Sequence, residues 1–118
     1  MKIDVRKEND VVILDFNGRL AAGLGTEVLS EAVRELLAED YKKILLNLSE
    51  VDYIDSNGLG ELVQSLKASK TLGASLRLLK PQDRVRKSLN LTMLLPMFKV
   101  HETEADALES FAEGQASP

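Results

Sequence analysis

Between residues 43 and 79 the hydrophobic period changes twice, and this limits the fold more than any other feature of the chain. "KILLNL", residues 43–48, is short, continuous and apolar with polar flanks, the pattern of a central strand. From Asn57 the period becomes helical: Leu59, Leu62, Val63 and Leu66 share one face, and Gly73 is placed to end the helix. "SLRLL", residues 75–79, then resumes a strand. Strand, loop, helix and strand in this order form a parallel crossover unit, so the chain reads as α/β.

The flanking segments extend that unit. Turn-forming "KEND", residues 7–10, separates "IDV" from "VVILDF", residues 11–16, which reads as a hairpin entering a strand buried on both faces. After "NGRLAAGLG", Thr26 is a candidate cap for a helix whose Leu29, Ala32, Val33, Leu36 and Leu37 recur at helical spacing. Pro81 suits the first turn of a third helix with Val85 and Leu89 inward, and "MFKVHE" supplies a last short strand. Thr103 and Asp106 make a capping-box-like start for a fourth helix through Ala107, Leu108 and Phe111. The expectation is a mixed sheet of four to five strands carrying about four helices. It forms a single domain over residues 1–112, with a fraying tail at 113–118.

A chain of 118 residues with 44% hydrophobic content builds one core, with a radius of gyration of about 13 Å and no deep cleft for a large cofactor. It contains no cysteine and one histidine, His101, which excludes thiolate zinc and histidine-cluster metal sites. A net charge of −4 with 4% aromatic residues argues against direct nucleic-acid binding. The one basic cluster, Lys80–Lys87, reads as a solvated helix face. "MLLPMF", residues 93–98, reads as core packing in preference to a partner patch. The N-terminus has no apolar leader and no run is long enough to span a bilayer, so a cytoplasmic protein with no membrane insertion is expected.

The central strand ends in "VDYIDSNGLG", residues 51–60, which sets Asp55, Ser56 and Asn57 where open α/β sheets place functional loops. A serine here can serve as the N-cap, with Asp55 complementing the helix dipole. Against that, Gly58 and Gly60 each cost a helix up to about 1 kcal/mol relative to alanine, so something must need close backbone approach or close packing. The G-x-S-x-G nucleophile elbow is absent and His101 is the only imidazole, which disfavours a hydrolase. A receiver-type phosphoaspartate at Asp55, with Asp52 beside it, lacks an acidic pair after the first strand. No G-K-[ST] follows the glycines, so this is not a P-loop.

"VDYIDSNGLGELVQSLKASKTLGASLRLL" closely resembles the signature region of the STAS domain, in particular of bacterial anti-sigma factor antagonists. In these, D-S-[STAN]-G-L-G opens the helix after the central strand. "VVILDFNGRL", "KKILLNLSEVDYID" and "LLPMFKVHETEADAL" resemble further parts of the family, so the likeness covers nearly the whole chain. It implies a binding protein without catalysis or cofactor. An anti-sigma factor serine kinase would phosphorylate Ser56, switching binding off, and a serine phosphatase would restore the hydroxyl. The unphosphorylated form would capture the kinase and release a sigma factor. The implied docking surface is Asp55, Ser56, Asn57, Gly58 and Leu59, with the "NGRLAAGLG" turn beside it if the two strands are neighbours. Leu59, in line with Leu62, Val63 and Leu66, is better placed for the core than for the docking surface. One departure falls at Ala21, where antagonists commonly carry an acidic residue after G-x-L. It leaves open a non-phosphorylated scaffold or transporter-associated module as the alternative.

Overall fold

In a computed structural model of the chain, β1 (Lys2–Glu8) and β2 (Val11–Leu20) form an antiparallel hairpin, turned by Asn9 in the left-handed region at φ 57°. Residues 1–23 and 26–116 are described, without the side chains of Thr26 and 113–116. Next come α1 (Thr26–Ala38), β3 (Lys43–Ile54), α2 (Ser56–Thr71), β4 (Ser75–Leu79) and α3 (Asp83–Leu91). A 3-10 turn (Leu95–Met97), β5 (Val100–His101) and α4 (Glu104–Ala116) complete the order. The sheet has five strands in sequence order, parallel from β2 to β5, as the crossover pattern requires. The radius of gyration is 13.1 Å.

Strand alternation divides the core between two faces. Val12, Leu14 and Phe16 of β2, Ile44, Leu46 and Leu48 of β3, and Leu76 and Leu78 of β4 meet α1, α2 and α3. Val11, Ile13, Leu45 and Leu79 point to the other face, where Ala107 and Phe111 of α4 cover them. This explains the continuous apolar runs: a strand covered by helices on both sides has no polar face. Arg6 ties β1 to the α4 face, its guanidinium holding Asp15 at 2.6 Å and Glu104 at 2.5 Å.

Three expectations need correcting. β2 and β3 run on to Leu20 and Ile54, well past their apolar runs, because each continues to pair with the other through register shifts at Asp15/Asn17 and Gly18/Arg19. Pro81 lies before α3, whose N-cap position is Gln82; the Gln82 amide instead donates to the Ser49 carbonyl at 2.8 Å. Of "MLLPMF", only Phe98 is buried; Leu94 and Leu95 are partly covered, and Met93 and Met97 are exposed. Met93 turns the chain at φ 59° after α3, with Leu94 N–H donating to the Leu89 carbonyl at 2.9 Å.

Two further boundaries hold. Gly73 ends α2 at φ 73°, and Thr103 caps α4 by accepting from Asp106 N–H at 3.1 Å. The Thr26 cap falls outside the described side chains. α4 runs through Ala116, so the first four residues of the expected fraying tail are helical instead, and its last two lie outside the description.

Candidate functional site

β2 and β3 are parallel neighbours, with Leu20 opposite Ile54, so the turn after β2 lies directly beside the loop between β3 and α2. Asp55 joins the two. Its backbone N–H donates to the Leu20 carbonyl at 3.2 Å, its Oδ2 accepts from Ala22 N–H at 3.0 Å, and its Oδ1 accepts from Gly58 N–H at 2.9 Å. With φ −107° and ψ −175°, Asp55 is the N-cap of α2. The Ala22 and Gly58 N–H groups stabilise its charged form and hold its carboxyl below the usual carboxylate range.

Capping therefore falls to Asp55, and the reading of Ser56 as the cap is corrected. A cap needs extended backbone, and the chain is extended at Asp55 and already helical at Ser56. Ser56 is the first residue of α2, exposed, and its hydroxyl makes no hydrogen bond among the described residues. Asn57 is exposed beside it.

Gly58 is needed by the fold itself: a β-carbon there would stand 2.2 Å from the Leu20 carbonyl oxygen. Leu59 is 8% exposed and belongs to the larger core with Leu62 and Leu66. Ala21 is buried, 5% exposed. Of the six residues singled out from sequence, the structure brings all to one end of the β2–β3 pair, but only Ser56, Asn57 and part of Asp55 reach solvent.

The family model described as "STAS domain" matches residues 2–107. The chain belongs to the STAS domain family. A STAS relative from Thermotoga neapolitana, named as a candidate anti-sigma factor antagonist, is 38% identical over 100 residues, covering 85% of this chain and 88% of its own. The crystal structure of a candidate anti-sigma factor antagonist from Thermotoga maritima superposes with a TM-score of 0.85 at 34% identity, covering 92% of each chain. The Bacillus cell fate determinant SpoIIAA in its phosphorylated form shares the fold, with a TM-score of 0.72 at 18% identity over 93% of this chain and 99% of its own. By this kinship the protein is a regulatory binding domain of the antagonist type and not an enzyme. No helix among the described residues is long and apolar enough to cross a membrane.

Two residues near the signature loop escaped the sequence reading as a pair. Arg19 and Tyr53 are paired across β2 and β3, the guanidinium 5.7 Å from the ring centre, and both are exposed. Their signal was weak, since only the register makes them adjacent. Gly60 is exposed, with nothing within 4 Å of a β-carbon built there. Its helical cost was legible; its openness was not.

Proposed function

We propose that this STAS domain is a phosphorylation-switched anti-sigma factor antagonist, with Ser56 as the acceptor. The observation that carries the reading is that Ser56 is exposed and its hydroxyl is unengaged among the described residues. Asp55 performs the capping, so Ser56 is not held as the cap and stands exposed at a helix N-terminus.

An anti-sigma factor serine kinase transfers the γ-phosphoryl of ATP to the Ser56 oxygen. The unmodified form binds that kinase and frees a sigma factor; a serine phosphatase resets the switch, all in the cytoplasm. A phosphate brings about −1.5 to −2 charges next to the Asp55 carboxylate. Desolvated against a surface matched to a neutral hydroxyl, that charge costs binding about 2–5 kcal/mol, or roughly thirty- to several thousand-fold. The fold accommodates it, because Ser56 is exposed and contributes no side-chain bond among the described residues. Exposed Asn57 lies beside Ser56 in the docking face, whereas buried Gly58, Leu59 and Ala21 belong to the packing around it.

The test is binding of the purified partner kinase to the wild type, Ser56→Ala and Ser56→Asp. The first two bind and the third does not. Equal binding by all three overturns the switch. Buried Ala21, at the position where antagonists commonly carry an acid, favours the second reading: a scaffold or transporter-associated module that docks through the same face without being phosphorylated. Phosphopeptide mass spectrometry of the native protein under growth and stress separates the two.

A further inference from the structure

β1 is the outermost strand of the sheet, and all seven of its residues pair with β2 on one side. Among the described residues its other edge has no strand partner, so its backbone N–H and C=O groups are a template for another strand. Two copies of an edge strand related by a two-fold axis perpendicular to the sheet pair antiparallel and keep their faces. Residues of the same parity then stand opposite each other. The sequence of β1, Lys-Ile-Asp-Val-Arg-Lys-Glu, fits one such register.

With the axis at Val5, Lys2 faces Glu8, Asp4 faces Arg6, Ile3 faces Lys7, and Val5 faces its own copy. Val5 is 61% exposed, and Lys2, Asp4 and Glu8 are exposed without an ion-pair partner among the described residues. Sliding the pairing by one step in either direction is unfavourable. Centred on Asp4, it opposes Asp4 to Asp4 and Lys2 to Arg6; centred on Arg6, it opposes Arg6 to Arg6 and Asp4 to Glu8. Only the Val5 register uses the full strand and sets opposite charges together. Arg6 is held in place by Asp15 and Glu104, which take four of its five N–H donors, leaving one on Nη1 for Asp4 of the second copy. The aliphatic stem of Lys7, whose ammonium reaches Tyr41 Oη at 3.1 Å, stands over Ile3 of the copy.

We propose that β1 is a homodimer interface, pairing antiparallel with β1 of a second copy about Val5 and joining two five-stranded sheets into one. β2 separates this edge from β3, so Ser56 stays exposed in the dimer and the inference stands apart from the switch.

The test is sedimentation velocity of the whole chain over a concentration series reaching the millimolar range. It compares wild type, Lys2→Glu, Glu8→Lys and the double reversal. Both positions are exposed, so the variants fold, which far-UV circular dichroism checks. The wild type is expected to pass from the 13.0 kDa monomer to a dimer and no further. Each single reversal weakens the dimer by about tenfold or more, because symmetry presents the changed pair twice, and the double reversal restores it. A wild type that stays monomeric, a dimer indifferent to the single reversals, or growth beyond the dimer would overturn the proposal.

Discussion

A β-carbon on Gly58 would stand 2.2 Å from the Leu20 carbonyl oxygen and 2.8 Å from Cγ1 of Ile54. The first turn of α2 thus rests directly on the end of β2, and this contact sets how Ser56 is presented. Gly58→Ala must displace backbone and is expected to cost about 1–3 kcal/mol. Gly60→Ala, in open space two residues on, is expected to gain up to about 1 kcal/mol. Urea midpoints of the two variants moving in opposite directions would verify the asymmetry; equal shifts would refute it.

Asp55 makes stability depend on pH in a stated direction. Its folded-state pKa is lowered, by the Ala22 N–H first and the Gly58 N–H second. Its contribution is therefore complete above the ordinary aspartate range and fades as pH falls through the lowered value, in the region below about pH 4. Asp55→Asn should flatten this acid slope in a series of unfolding measurements. The slope that remains belongs in part to Asp10, held low by the Lys43 hydrogen bond. An unchanged slope would mean that Asp55 is not held by these two N–H groups in solution.

Ser56→Ala and Ser56→Asp should both unfold within about 0.5 kcal/mol of wild type, because Ser56 is exposed and its hydroxyl makes no bond among the described residues. Calorimetry checks this. A large loss for Ser56→Ala would return the serine to a structural role and remove the basis of the switch.

Phe111 anchors α4 to the sheet face formed by Val11, Ile13, Leu45 and Leu79, and it is 2% exposed. Phe111→Ala is expected to cost about 3–5 kcal/mol. Hydrogen exchange should show α4 losing protection before β3 and α2. Uniform loss across the domain would instead show that α4 is part of one cooperative unit.

The sequence alone determined the order of elements, because apolar period is a local property: continuous in "KILLNL", helical from Leu59 to Leu66, continuous again in "SLRLL". It also placed the Ser56 segment at a strand end and carried the family likeness. Only the tertiary structure decided what each signature residue does. Capping passed from Ser56 to Asp55 because backbone extension ends one residue earlier. Gly58 and Gly60, equivalent in composition, parted because β2 lies against one and solvent against the other. Leu59 and Ala21 are buried, while Arg19 and Tyr53 became neighbours through a register that no local pattern encodes. Period is set by residues three or four apart along the chain, whereas exposure and contact at this site are set by which strand lies beside which.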